Sequence, residues 1–146
     1  MKQNSRVNKN LNKDSAAPVY NYSDKVILKT KNDAHVLYSV KKIDLDLEIV
    51  KRLNLKGDES ILDVGCGFGD FLIYLRKNGH KGQLVGLDYH ANTFRGAEQI
   101  ALSEKLDIQY LKGNAESLPF KNNSFDIVCA RHMLCYLSSI TKGLEE

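Results

Sequence analysis

Short apolar runs alternate along this chain with longer segments in which apolar residues recur every three or four positions. A short apolar run is typical of a strand buried on both faces, and the longer spacing is typical of a helix. The alternation predicts a parallel sheet covered by helices, a doubly wound α/β fold. The predicted strands are 61–64, 84–87, 108–111 and 124–130. The predicted helices are 44–53, 91–105, 133–146 and one that follows the first strand and stops at Asn78-Gly79.

Each predicted helix has one face that we expect to be buried, and the first also has a predicted cap. Asp44 precedes the first helix and is a good N-cap residue, because its side-chain oxygen can accept from a backbone N–H of the first turn. Asn78-Gly79 ends the second helix. The residues expected to face inward are Ile49, Val50, Leu53, Phe71, Leu72, Leu75, Phe94, Ala97, Ile100 and Ala101.

The first third of the chain lacks this clear alternation. Residues 1–17 are polar and rich in Asn and Lys, which predicts a disordered leader. Residues 18–54 form an N-terminal appendage before the sheet. Within it, 26–28 and 36–38 are apolar runs around a turn-like segment, which fits a hairpin, although the second run equally fits a helix.

Composition and charge narrow the function classes. The chain has 146 residues and a net charge of +3, and the excess lies in residues 1–17. Because no basic face is predicted on the folded part, we expect no nucleic-acid partner. No apolar run is long enough to cross a membrane, and the three cysteines have no metal-ligand spacing. We therefore expect a cytoplasmic protein with no membrane partner and no metal.

A glycine-rich loop follows the first predicted strand and carries the candidate chemistry. The pattern is Asp63-x-Gly65-x-Gly67-x-Gly69, with Cys66 inside it. Glycine permits positive φ and lets a ligand approach the backbone, and the following helix N-terminus offers N–H groups. Asp70 stands where a dinucleotide-binding loop has its third glycine, and no Gly-Lys-Ser/Thr follows, which excludes a Walker loop.

Two segments of the chain resemble a known family. The D-x-G-x-G-x-G loop resembles motif I of the class I S-adenosylmethionine-dependent methyltransferases. Residues 113–128, GNAESLPFKNNSFDIV, resemble the G-D-A-E-x-L-P-F-x-x-x-S-F-D stretch of the small-molecule members. The resemblance covers about 55–141 and implies a Rossmann-like sheet.

The family sheet has seven strands in the order 3-2-1-4-5-7-6, and this sequence accounts for the first four, in the order 3-2-1-4. We therefore expect residues 55–146 to be the N-terminal part of the methyltransferase domain, truncated at the C-terminus. The fourth strand would then lie at an edge, and self-association through it is expected.

The resemblance implies S-adenosyl-L-methionine as cofactor and assigns roles along the chain. Asp63 is expected to orient the loop, and the glycines are expected to approach the methionine and ribose groups. Asp88 follows the second strand and would accept from the ribose hydroxyls. The further cofactor-binding candidates are Cys66, Tyr89 on the adenine face, Asn114 and Ala115 at the adenine edge, and Glu116, for which a structural role near the loop is the alternative.

Two residues after the fourth strand have open roles. Arg131 either meets the methionine carboxylate or points into solvent. His132 is a weak candidate for a general base, and a histidine without a role at a helix N-terminus is the alternative. Residues 18–54 are expected to form a substrate cover, with Tyr20, Tyr22 and Tyr38 as candidate lining residues.

Three functions are consistent with these residues. The first is methyl transfer from S-adenosylmethionine to a small-molecule acceptor. The second is a cofactor-binding module without catalysis, or a fragment that needs a partner. An NAD-dependent oxidoreductase is a distant third, because Asp70 replaces the third dinucleotide glycine.

Overall fold

The computed structural model describes residues 44–146 of the chain. The leader, the two alternatives for residues 18–43 and the three candidate cover tyrosines lie outside this range. In order, the elements are helix α1 (Leu45–Leu53), strand β1 (Ile61–Val64), helix α2 (Asp70–Lys77), strand β2 (Leu84–Asp88), helix α3 (Ala91–Ser103), strand β3 (Gln109–Lys112), strand β4 (Ile127–Ala130), a 3-10 turn (Leu134–Tyr136) and helix α4 (Ile140–Glu145).

The strands form one parallel sheet in the order β3-β2-β1-β4, which confirms the predicted fold class and order. The chain runs outward from β1 to β3 on one side and then returns to place β4 on the other side. The topological switch point therefore lies between β1 and β4, where open α/β sheets bind their ligands beyond the carboxyl ends of the strands.

The two faces of the sheet bury separate apolar clusters because successive residues of a strand point to opposite faces. Ile61 belongs to the cluster that holds Phe71, Leu72 and Leu75 of α2. The same cluster includes Phe94 and Ala97 of α3, and Ile49 and Val50 of α1 pack against it. On the other face Leu62, Val64, Val85 and Leu87 are covered by residues from the segment between β3 and β4 and by Met133.

Helix α1 begins as predicted, since the Asp44 side chain accepts from the Leu47 N–H at 3.0 Å. Two of the residues expected to face inward do not. Leu53 is 40% exposed and Ile100 is 41% exposed, whereas Thr93 of α3 is buried. The helical spacing therefore predicted the buried face of α2 correctly, whereas in α3 the buried face includes Thr93 and leaves Ile100 exposed, and no residue of α1 is fully buried.

Strand β4 is shorter than predicted, because residues 124–126 do not join the ladder. The Asp126 carboxylate accepts from the Ser60 N–H at 2.8 Å and from its hydroxyl at 2.6 Å. Phe125 packs edge-on against Phe120, with ring centroids 5.0 Å apart. Strand pairing therefore begins at Ile127, and β3 likewise begins one residue later than predicted, at Gln109.

The prediction of one helix from Met133 to Glu146 is wrong. A 3-10 turn is followed by extended backbone at Leu137, and α4 begins only at Ile140. Glu116 holds this break, since its carboxylate accepts from the Ser139 N–H at 2.7 Å and from the Ser138 hydroxyl at 2.8 Å. The Ser139 side chain then caps α4 by accepting from Lys142.

Strand β4 lies at the edge of the described sheet, and its Val128 side chain is 56% exposed. Self-association through this edge stays a prediction. No helix within residues 44–146 is long and apolar enough to cross a membrane.

We expect Arg76→Met to lower the free energy of unfolding by about 2–3 kcal/mol, because hydrogen bonds from a charged group would be lost. The Arg76 guanidinium donates to the carbonyls of His80 at 2.6 Å, Gly82 at 2.9 Å and Asp107 at 2.6 Å, and so joins α2 to the loops before β2 and β3. The measurement is urea unfolding followed by circular dichroism.

The matched control is Lys77→Met, the neighbouring residue of the same helix. Its exposed ion pair with Glu104, at 2.7 Å, is worth less than about 1 kcal/mol. Equal losses in the two variants would contradict a special role for Arg76.

Candidate functional site

The glycine loop joins β1 to α2 and turns back on the end of β2. The Gly65 and Cys66 N–H groups both donate to the Leu87 carbonyl, at 2.7 and 3.1 Å. Gly69 donates to the Cys66 carbonyl at 2.9 Å. Gly65, Gly67 and Gly69 have φ of 71°, 56° and 70°, so all three adopt the left-handed backbone that the sequence predicted for glycine.

The three glycines differ in what surrounds them. A Cβ at Gly65 would lie 2.6 Å from the Met133 Cβ, and a Cβ at Gly69 would lie 2.8 Å from the Ala97 Cβ and against the Tyr110 ring. These two glycines serve packing. A Cβ at Gly67 would meet no atom of residues 44–146 within 4 Å. Gly67 is therefore the loop position at which a ligand can reach the backbone.

Asp88 is the carboxylate that the structure brings to this loop. One of its oxygens accepts from the Gly67 N–H at 3.0 Å, and the other accepts from the His90 N–H at 2.9 Å. The sequence interpretation gave the orienting role to Asp63. In the described residues, however, the carboxylate that accepts from the loop backbone is that of Asp88, and the Asp63 carboxylate instead contacts Arg131.

The other candidates lie at the ends of β2 and β3. Tyr89 follows Asp88 and is 63% exposed, and its ring meets the His90 ring edge-on. The Gly113 N–H donates to the Asp88 carbonyl at 3.0 Å, which brings the chain from β3 beside β2 just before Asn114 and Ala115. The Asn114 side chain accepts from the Glu116 N–H at 3.0 Å and closes a turn. Asp88, Tyr89, Asn114 and Ala115 therefore border the same edge of the sheet.

Glu116 does not join this group through its carboxylate, which holds Ser138 and Ser139. The backbone N–H of Ser139 is the main cause that lowers the pKa of this carboxyl. The hydrogen bonds therefore support the structural role of Glu116 rather than a role in cofactor binding. In the sequence, Ser139 before Ile140 is typical of an N-cap and signals the start of α4, but it does not point to Glu116 as a partner.

Cys66 lies in the loop but its side chain is buried, and burial raises the pKa of its thiol. The thiol therefore stays protonated and is a poor nucleophile. His132 is exposed and has a left-handed backbone with φ 55°. It lies before the 3-10 turn rather than at an α-helix N-terminus, so the position expected for His132 in the alternative is wrong. The role of His132 as a general base stays a prediction.

One of the two alternatives for Arg131 was that its side chain points into solvent. The structure contradicts that alternative. The Arg131 guanidinium lies 2.9 Å from the Asp46 carboxylate of α1 and 3.4 Å from the Asp63 carboxylate of β1. The Phe71 ring packs under it, with 4.1 Å between the guanidinium carbon and the ring centroid. The sequence gives no signal that Asp46 belongs to this site, because an aspartate in the first turn of a helix is expected there for the helix dipole alone.

Asp63 is a buried acid at the centre of this region. Its side chain is 1% exposed, and burial raises its pKa from the ordinary 3.8 to about 6, against the opposing attraction of Arg131. Asp46 and Asp88 add smaller repulsions in the same direction. Among residues 44–146, its Oδ1 atom has no hydrogen-bond partner. Acids shifted by desolvation and a specific charged neighbour concentrate at functional sites.

We expect Asp63→Asn to raise the free energy of unfolding at pH 7 by about 1–3 kcal/mol, since about two pKa units separate the folded from the unfolded carboxyl. The folded state binds this proton more tightly than the unfolded chain does. Stability should therefore fall as pH rises from about 4 to about 6 in the wild type, and this slope should flatten in the variant. Urea unfolding at several pH values measures it.

The control is Asp126→Asn, the same chemical change at an acid whose pKa is lowered by its bonds to Ser60. That variant should lose stability at pH 7. A loss at pH 7 in the Asp63 variant as well would contradict the account of Asp63 as a costly buried charge.

Comparisons with known proteins agree with this geometry. A family model described as a methyltransferase domain matches residues 62–146. A demethylmenaquinone methyltransferase from Shouchella clausii is 35% identical over 83 residues, which are 56% of this chain and 35% of that protein. A 2-phytyl-1,4-naphtoquinone methyltransferase from a Nostoc species is 34% identical over 100 residues, 66% of this chain and 44% of the relative.

Among solved structures, the fold is similar to that of a SAM-dependent methyltransferase from Aquifex aeolicus. The TM-score is 0.66 and the identity 26%, over 83% of this chain and 63% of that one. The chain spans about a third of the length of the first of these curated relatives. Since the family model matches more than half of the chain, this protein belongs to the methyltransferase-domain family, with the Rossmann-like fold of the class I S-adenosylmethionine-dependent enzymes.

Proposed function

We propose that residues 44–146 hold S-adenosyl-L-methionine for methyl transfer to a small-molecule acceptor. The observation that carries the proposal is the contrast among the loop glycines. A Cβ at Gly65 or Gly69 would collide with neighbouring side chains, whereas a Cβ at Gly67 would meet no described atom within 4 Å, and the Gly67 N–H is held by Asp88. The loop backbone is thus fixed in place with one position open to a ligand.

The residues around Gly67 fit the nucleoside of this cofactor. Each Asp88 oxygen already accepts one backbone N–H, and a carboxylate oxygen has a second lone pair for a ribose hydroxyl. The exposed Tyr89 ring offers an apolar face for adenine. Asn114 and the Ala115 N–H supply polar groups for the adenine edge. A glycine-rich loop without such groups would not distinguish adenine from other bases.

The chemistry asks little of the protein beyond placement. When bound, the cofactor supplies a methyl group on an already activated sulfonium. The loop backbone and Asp88 would then orient the nucleoside, and the switch point between β1 and β4 would receive the acceptor. Excluding water from this cleft is the other contribution that we assign to the chain.

The acceptor is assigned here by class alone. Two relatives are named for demethylmenaquinone and for 2-phytyl-1,4-naphtoquinone, which supports a small-molecule acceptor. We further propose a cytoplasmic location, because the cysteines at positions 66, 129 and 135 are free thiols, as in a reducing compartment.

Calorimetry separates this function from that of a dinucleotide-binding protein. We expect the chain to bind S-adenosylhomocysteine and not NAD, and Asp88→Ala to weaken that binding by about 1–3 kcal/mol, because a charged acceptor is lost. Since Asp88 also holds Gly67, the 2′-deoxy form of the ligand is the control. Asp88→Ala should weaken binding of the 2′-deoxy ligand less than it weakens binding of the ribose form. Tighter binding of NAD, or an unchanged dissociation constant in the variant, would refute the assignment.

The glycine contrast gives a second prediction. Gly67→Ala should keep the fold, at a cost of about 1 kcal/mol for a left-handed alanine, and should lose most S-adenosylhomocysteine binding. Gly69→Ala should instead lose stability by more, because its Cβ would collide with Ala97 and Tyr110. Circular dichroism and calorimetry on both variants measure this. Full binding by the folded Gly67→Ala protein would place the ligand elsewhere.

A methyl-transfer assay separates an enzyme from a binding module. Binding without transfer to any small-molecule acceptor, in the longest available form of the protein, would favour the module.

A further inference from the structure

Arg131 joins two carboxylates that belong to separate elements. Its two terminal nitrogens lie 2.9 Å from Asp46 and 3.4 Å from Asp63. The arginine side chain is 25% exposed and the Asp46 side chain 27%, so the bridge is partly shielded from water. Charge-assisted contacts of this kind are stronger than pairs at an open surface.

Within residues 44–146, helix α1 makes few other contacts that hold its position. None of its residues is fully buried, and Leu45, Leu47 and Leu53 are exposed. Ile49 and Val50 pack partly against the core, and the ion pair of Asp46 fixes the first turn. That turn lies by the carboxyl ends of β1 and β4, where the candidate site is.

Both terminal nitrogens of the Arg131 guanidinium already face carboxylates of this chain. Phe71 covers one of its faces, and among residues 44–146 its buried Nε has no hydrogen-bond partner. Without it, the buried Asp63 would lose its cation while Asp46 and Asp70 remain close enough to repel one another. One arginine therefore balances several acids beside the glycine loop.

We propose that Arg131 is a positioning residue, which holds the first turn of α1 to Asp63 and thereby fixes this helix beside the glycine loop. That the position of this helix matters for cofactor binding rests on the proposed function, whereas the contact of Arg131 with Asp46 and Asp63 does not. Arg131 acts through Asp46 and Asp63 and does not bind the carboxylate of the cofactor's methionine group.

Hydrogen exchange tests the contact without any ligand. Arg131→Met and Asp46→Asn should each raise amide exchange in residues 45–53 about tenfold, because the same interaction is removed from either side. Asp46→Glu should restore much of the protection. Arg52→Met, which removes the exposed pair of the same helix with Glu48, is the control and should leave the first turn unchanged.

Calorimetry with two ligands tests the positioning role. Arg131→Met should weaken S-adenosylhomocysteine and 5′-methylthioadenosine, which lacks the amino-acid carboxylate, by the same factor. A loss confined to S-adenosylhomocysteine would show that Arg131 binds the carboxylate, and would overturn the proposal. So would unchanged exchange in the Asp46→Asn protein, a variant that keeps Arg131 paired with Asp63. If the wild-type chain binds neither ligand, the proposed function fails, and the exchange measurement still decides whether Arg131 holds α1.

Discussion

The close packing of Gly65 and Gly69 is the constraint on which the site depends. Met133 lies against the first, and Ala97 and Tyr110 lie against the second. Any side chain at either position would push the loop away from the sheet. Because both ends of the loop are fixed by contacts with other elements, the backbone at Gly67 is presented in one position, and its N–H is held by Asp88. A pre-formed backbone of this kind loses little entropy when a ligand binds.

The same region carries a stability cost that the rest of the fold must offset. Asp63 is buried on the central strand, where an apolar residue would pack without a desolvation penalty. Its neighbours at 61, 62 and 64 are apolar and fill both faces of the sheet. Strand β1 is otherwise apolar, as expected for a core strand, and Asp63 is its single exception. This acid contacts Arg131, which in turn pairs with Asp46 of the partly exposed helix α1. Such exceptions are expected where function requires them.

The sequence predicts the parts of this molecule that local patterns determine. The apolar runs of β1 and β2, the left-handed glycines and the Asp44 cap all follow from short-range rules, and the strand order 3-2-1-4 came from the resemblance. The contacts that differ from expectation join residues distant in the chain. Arg131 meets Asp46 across 85 positions, and Glu116 meets Ser139 across 23. No periodicity encodes such pairs, so neither the contact of Glu116 with Ser139 nor the pairing of Arg131 with Asp46 could be predicted from the sequence.

The central claim is that a nucleoside ligand lies against the Gly67 backbone, beyond the carboxyl ends of β1 and β2. Titration of the isotopically labelled chain with S-adenosylhomocysteine, followed by amide NMR, tests it directly. We expect the largest saturable chemical-shift changes at the amides of Gly67, Tyr89 and Ala115. The changes should be small at Gly79 and Lys105, which follow the C-terminal ends of α2 and α3. Shifts scattered over the surface, or none at saturating ligand, would contradict it.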